Sequence, residues 1–124
     1  MAALATDNFG NDGARAYLAL RAAQLVAAIT EIVNNAERLD PDEDGESMLM
    51  PSVELLAILC ERYGAEPPRP ASVRAWADKY LPVFDAWAAR KKKLSAEYKT
   101  ERRRVIDNTF RWLAGLAETH WDNP

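Results

Sequence analysis

Residues 9–38 read FGNDGARAYLALRAAQLVAAITEIVNNAER, and this stretch decides the fold because its apolar side chains recur with helical spacing. One stripe of the helix consists of Leu18, Ala22, Leu25, Ile29, Ile32 and Ala36. Asn11 or Asp12 can accept hydrogen bonds from the free N–H groups of the first turn, and Phe9 can fold back over that turn. The pattern therefore predicts one long helix from Asp12 to Arg38.

The remainder of the chain shows the same spacing in three further segments, each introduced by a serine that can act as an N-cap. Ser47 precedes the second helix, which Gly64 ends. Ser72 precedes the third helix, in which Pro82 predicts a kink, and Ser95 precedes the fourth. Because short connections force successive helices to run up and down, the sequence predicts an all-α antiparallel bundle of about four helices with short loops.

Length, hydropathy and cysteine content indicate a single domain that belongs in a reducing compartment. Residues 1–124 are expected to form a single helical domain. Cys60 is the only cysteine, which excludes an intrachain disulfide and fits a reducing compartment. The N-terminal residues lack the basic region of a signal peptide, and we expect no apolar run of membrane-spanning length. The sequence therefore predicts a cytoplasmic protein without a membrane partner.

The net charge of −3 hides a strong asymmetry along the chain. Residues 1–66 hold 12 acidic and 4 basic side chains, a balance of −8, whereas residues 67–124 hold 7 acidic and 12 basic side chains, a balance of +5. The two halves can attract each other within one fold or between two copies, so a homo-oligomer stays open. The asymmetry also indicates a charged partner.

An acidic loop at residues 40–46 matches the first half of a calcium-binding loop. Asp40, Asp42 and Asp44 supply carboxylates at alternate positions, and a glycine stands at the sixth position, where such loops turn sharply. The twelfth position, which needs a bidentate glutamate, is Pro51. The sequence therefore predicts no metal site, and a weak calcium- or metal-binding module through these three aspartates is the alternative.

A basic cluster at residues 90–104 is the counterpart of the acidic loop. Glu97 and Glu101 interleave with its lysines and arginines, which is typical of a solvated helix surface laced with ion pairs. No known nucleic-acid-binding module is present, so a nucleic-acid partner is not expected. The candidate residues for binding a protein partner are Asp42, Glu43, Asp44, Glu46, Arg102 and Arg103.

The sequence offers no catalytic or cofactor-binding residues. His120 is the only histidine and stands near the end of the last helix, where it can meet the final carbonyl groups. Cys60 belongs to an apolar stripe and is expected to be a small buried hydrophobic residue. Glu-x-x-His pairs, which the di-iron bundles require, are missing from the sequence. We therefore predict a protein that is not an enzyme and has no cofactor. The third alternative is an enzyme whose catalytic carboxylates come from different helices.

The opening motif resembles the bacterial domain-of-unknown-function family 4259, whose members begin with Trp-Gly and then Phe-x-Asn-Asp-x-Ala-x-Asp and an aromatic residue. The matching positions are Phe9, Asn11, Asp12, Ala14 and Tyr17. Leu4 and Ala5 replace Trp-Gly, and Ala16 replaces the second aspartate. The stretch VELLA at residues 53–57 and the proline-rich connector after Gly64 are also similar, so the resemblance covers about the first 80 residues. It implies a small helical bacterial protein with no established activity.

These features predict a non-enzymatic protein-binding module. Because the first half of the chain is acidic and catalytic groups are missing, analogy with other small acidic intracellular bacterial proteins suggests an immunity- or antitoxin-type partner of a basic protein. The expected partner is therefore a protein whose identity the sequence does not give.

Overall fold

The computed structural model describes residues 6–121, and their helices confirm the predicted all-α bundle. In that part of the chain 83% of the residues are helical and none is in a strand. The elements in order are α1 (Asp12–Val33), α2 (Ala36–Leu39), a wide helical segment of π type (Pro41–Leu49), α3 (Met50–Tyr63), α4 (Pro70–Arg90) and α5 (Ala96–Trp121). We call Pro41–Leu49 the acidic segment.

The first helix begins as predicted and ends earlier. Asn11 is its N-cap, and the Asn11 side chain accepts a hydrogen bond of 2.8 Å from the backbone N–H of Ala14. The helix stops at Val33, so the predicted end at Arg38 is wrong. The reason is Asn35, whose side-chain oxygen accepts hydrogen bonds from the backbone N–H groups of Glu37 and Arg38. Asn35 is therefore the N-cap of α2 and starts it as a separate helix.

Phe9, which precedes α1, contacts a residue of another helix. Its ring packs against the ring of Tyr63 at the end of α3, with the centroids 4.8 Å apart. The segment before α1 is therefore fastened to a second helix, which fixes how the two helices meet.

The predicted acidic loop is wrong, because residues 41–49 are helical apart from a break at Glu43, where φ is −97° and ψ is −109°. Asp40 caps this segment by accepting a hydrogen bond of 2.8 Å from the backbone N–H of Asp42. Ser47 was predicted to cap the next helix. Its hydroxyl instead donates to the backbone carbonyl of Glu43, and α3 follows without a side-chain cap.

Gly45 is buried, and its lack of a side chain is required by close packing rather than by a turn. A Cβ atom at this position would overlap the backbone carbonyl oxygen of Leu39 and lie 2.8 Å from Cε1 of Tyr80. Only glycine lets the acidic segment approach α4 this closely.

The caps of the remaining helices agree with the sequence at two of three positions. Gly64 ends α3 with φ of 77°, and its N–H donates to the carbonyl of Cys60 at 3.1 Å, as predicted. Ser95 caps α5 by accepting from the N–H of residue 98 at 3.0 Å. The cap predicted at Ser72 is wrong, because α4 already begins at Pro70, whose fixed φ suits a first helical turn.

The core is formed by the inward stripes of the four long helices. α3 contacts both α1 and α5, and α4 contacts α5 and α1. The largest fully buried side chains are Tyr80, Phe84, Phe110, Ile29, Ile32, Leu49, Leu56, Ile106 and Leu113. Pro82 lies inside α4, which continues through it as expected.

The helix α1 is less enclosed than its composition suggests. It is long and apolar enough to cross a membrane by length and composition, with a mean hydropathy of 1.5 over 18 residues, so the expectation of no such run was wrong. Only 28% of that window is buried in the bundle, and Ala36, predicted to extend its buried stripe, is exposed beyond the end of the helix. A large part of the apolar surface of α1 therefore stays uncovered.

Candidate functional site

The predicted partner-binding residue Glu46 lies in a half-buried network where the acidic segment meets α4 and α5. One carboxylate oxygen accepts from Nε of Arg102 at 2.6 Å, and the other accepts from the hydroxyl of Tyr80 at 2.6 Å. The side chains of Glu46 and Arg102 are 22% and 24% exposed. This network ties the acidic segment to both α4 and α5, so Glu46 and Arg102 serve the fold before any partner arrives.

Burial raises the pKa of the Tyr80 hydroxyl far above its usual range, and the neighbouring Glu46 carboxylate raises it further. The hydroxyl therefore stays protonated and donates its hydrogen bond at every physiological pH. Because Tyr80 is fully buried, it has no access to a substrate.

The three aspartates of the calcium-like pattern do not converge on one point. Each meets a different cation of the same chain: Asp40 meets Arg90 at 3.5 Å, Asp42 meets Lys91 at 2.8 Å and Asp44 meets Arg38 at 2.6 Å. The hydrogen bond from the Lys91 ammonium group is the main cause that lowers the pKa of Asp42. Within residues 6–121 no group of three or more His, Cys, Asp or Glu residues is placed to hold a metal ion.

The remaining predicted partner residues differ in how far they are engaged. Arg103 forms two hydrogen bonds to the carboxylate of Asp85, at 2.8 and 3.2 Å. Glu43 is exposed and makes no ion pair with the described residues. The pairs Asp40–Arg90, Asp42–Lys91 and Glu46–Arg102 each join the acidic first half to the basic second half. Much of the charge asymmetry is therefore used within the fold.

The cysteine and the histidine, each single in the sequence, show no sign of nucleophilic chemistry. Cys60 is buried, and burial raises the pKa of its thiol to about 11, which keeps the sulfur protonated and unreactive. His120 lies in the last turn of α5, as predicted, with its Nε2 atom 3.6 Å from the carboxylate of Glu66. The described residues bring no base to Cys60, so nothing there resembles a nucleophile–base pair.

A groove between α1 and α3 is the surface that the sequence did not reveal. Its volume is about 330 Å³, and its lining is mostly apolar. The lining residues are Phe9, Tyr17, Leu18, Arg21, Gln24, Leu25, Leu55 and Leu59. Tyr17 is 57% exposed and Leu55 is 52% exposed. Leu25, predicted as a core residue, is only partly buried because it faces this groove.

Arg21 is the charged residue among the described residues that line the groove, and it lies at the polar rim. The guanidinium of Arg21 donates a hydrogen bond of 3.1 Å to the side-chain oxygen of Gln24 and lies 6.0 Å from the centroid of the Tyr17 ring. Among residues 6–121, no carboxylate lines the groove. The sequence signal that could have indicated it is the width of the apolar face of α1, which exceeds what one neighbouring helix can cover.

Leu55 also borders a second groove, between α3 and α5, with a volume of about 340 Å³. Its lining is more polar and includes Glu46, Glu54, Arg102 and the hydroxyl-bearing Thr109. Leu55 is therefore a ridge between an apolar groove on one side and the charged network on the other. In comparisons with family models, with curated proteins and with solved structures, nothing matches this chain.

Proposed function

We propose that this chain is a non-enzymatic protein-binding module of the bacterial cytoplasm, of the immunity or antitoxin kind, which docks its partner on the groove between α1 and α3. The observation that carries the proposal is the exposure of Tyr17 and Leu55 on either side of an apolar groove. Large apolar side chains that gather at one exposed place mark binding surfaces, and tyrosine is among the residues that contribute most to binding energy.

The charged residues take a secondary part in this proposal. Asp42, Asp44 and Glu46 already have cationic partners, so a basic protein would have to displace them before gaining any attraction. Glu43 and the outer face of Arg103 stay accessible and act at the rim of the contact, where charges mainly raise the rate of association. The apolar groove, by contrast, is available without breaking an existing ion pair.

Site-directed photo-crosslinking in bacterial cells tests the proposal. A photoreactive phenylalanine analogue replaces Tyr17 at the groove in one variant and the exposed Ala86 of α4 in the control. We expect a discrete protein adduct from position 17, identified by mass spectrometry, that is absent at position 86. Equal adducts at both positions, or none at position 17, would overturn the docking of a protein on this groove.

A further inference from the structure

We infer that the occupant of the groove is an acidic amphipathic helix about two turns long, an inference that rests on the proposed function and names the chemistry of the partner. The groove supplies apolar contact along its floor and a single positive charge at its rim. A helix that presents one apolar stripe and flanking carboxylates matches both features.

The dimensions of the groove suit a helix. Its lining runs along α1 from Tyr17 to Leu25, which at 1.5 Å per residue is about 12 Å, or roughly two helical turns. Leu55 and Leu59 stand one turn apart on α3 and form the opposite wall. An incoming helix would place apolar side chains at positions i, i+3 or i+4, and i+7 between these two walls.

The charge argument rests on which arginines are already paired. The arginines that form ion pairs with carboxylates of this chain are Arg38, Arg74, Arg90, Arg102, Arg103, Arg104 and Arg111. Within residues 6–121, Arg15, Arg21, Arg62 and Arg69 form no such ion pair, and of these four only Arg21 lines the groove. The guanidinium of Arg21 donates its hydrogen bond to the neutral side-chain amide of Gln24. A carboxylate on the incoming helix gives Arg21 the charge-assisted hydrogen bond that the described part of the chain does not supply.

The same charges disfavour a second copy as the occupant. A two-fold interface sets the same patch against itself, so both copies of Arg21 would enter one contact. In each copy the described lining of the groove between α1 and α3 contains no carboxylate, so that contact would bring like charges together without compensation. An acidic helix instead replaces this repulsion with an attraction.

Two fluorescently labelled, stapled helical peptides provide the test. Both carry leucine at positions i, i+4 and i+7, and they differ only in that the flanking positions are glutamates in one and lysines in the other. Fluorescence anisotropy with the full chain should show saturable binding of the glutamate peptide, about tenfold tighter than the lysine peptide at low salt.

Three variants connect that preference to the groove. Arg21→Glu should reverse the preference between the two peptides, because it reverses the charge at the rim. Lys92→Glu makes the same change in net charge at an exposed residue that does not line the groove, and it should leave the preference intact. Leu55→Asp should abolish binding of both peptides, and circular dichroism should show that its helix content is unchanged.

Several results would overturn the inference. Equal affinity for the two peptides, or no saturable binding, would exclude an acidic helix. A dimer of the unmodified chain that Leu55→Asp dissociates would identify a second copy as the occupant, and binding to phosphatidylglycerol vesicles that Leu55→Asp removes would identify a lipid surface. If position 17 still crosslinks to a protein while the peptides fail, the proposed function survives and only the acidic-helix inference falls.

Discussion

Replacing Gly45 by alanine should destabilise this protein, although the same replacement stabilises most helical positions. Alanine in a helix interior is ordinarily favoured over glycine by about 0.5–1 kcal/mol, because glycine loses more backbone freedom on folding. At Gly45 the added methyl group has no room, since it would overlap the carbonyl oxygen of Leu39 and press against the ring of Tyr80. One of these obstacles is backbone, so a rotamer change cannot remove it.

The magnitude follows from two costs and one gain. Forcing a methyl group into a filled site costs about 1–3 kcal/mol. Displacing the Tyr80 ring lengthens its 2.6 Å hydrogen bond to the Glu46 carboxylate, and a hydrogen bond to a charged group is worth about 1.5–3 kcal/mol. After subtraction of the helical gain, the expected loss is about 3 kcal/mol of the free energy of unfolding.

Urea denaturation followed by circular dichroism measures this loss, and Gly115→Ala is the matched control. Gly115 is exposed in the second half of α5, and no atom of the described residues lies within 4 Å of a Cβ added there. This control should be as stable as the unchanged chain or more stable by up to about 1 kcal/mol. If Gly45→Ala unfolds at the same urea concentration as Gly115→Ala, the close approach of the acidic segment to α4 is not what requires glycine.

Three further changes test separate parts of the structure. Leu56→Ala should lower the free energy of unfolding by about 2–5 kcal/mol because Leu56 is fully buried, whereas the adjacent Leu55→Ala should change it by less than about 0.5 kcal/mol. Similar urea midpoints for the two variants would contradict the burial difference. Burial raises the pKa of the Cys60 thiol from 9.0 to about 11, so the contribution of Cys60 to the free energy of unfolding is fully present below pH 9 and declines as the pH rises towards 11. Cys60→Ala should lessen the loss of stability between pH 9 and 10, and an unaltered pH profile would count against this reasoning. Millimolar calcium should leave the melting temperature unchanged because Asp42 is engaged with a lysine, and a calcium-dependent rise that Asp42→Ala removes would restore the metal-binding alternative.

Features that depend on neighbouring residues in the chain could be predicted from the sequence. The Asn11 cap, the Ser95 cap and the left-handed Gly64 are decided within one or two helical turns, and each was confirmed. Errors arose where two local signals competed. Asn35 interrupts a helical pattern whose apolar spacing continues, and the sequence does not show which effect is stronger.

The acidic segment was mistaken for a loop because Pro41 and Gly45 interrupt the run of five acidic residues at positions 40–46, and proline and glycine usually mark turns and loops. Three of its acidic residues, counting the Asp40 cap, pair with cations from distant parts of the chain. Arg102 is 56 residues from Glu46, and Lys91 comes from the end of α4. Such pairings are tertiary choices, and the net charge of each half of the chain indicated only that attraction between the halves was available.

The groove escaped prediction for a related reason. Periodicity shows which face of α1 is apolar, but it does not show how much of that face the neighbouring helices cover. Leu25 satisfied the pattern of a core residue and is partly exposed, because α3 covers only one side of it. Coverage depends on how the helices are spaced and angled, which becomes known only when all of them are placed.

The contact between Glu46 and Arg102 has a consequence for how the protein is made. A ribosome synthesises the acidic half first, and for a time Glu46 exists without Tyr80, 34 residues later, or Arg102, 56 residues later. Burying an unpaired carboxylate is costly, so the nascent chain has little reason to close around the acidic segment during this interval. We therefore expect final folding to wait until α5 has left the ribosome, which would leave the apolar stripes of α1 and α3 accessible to chaperones and proteases until then.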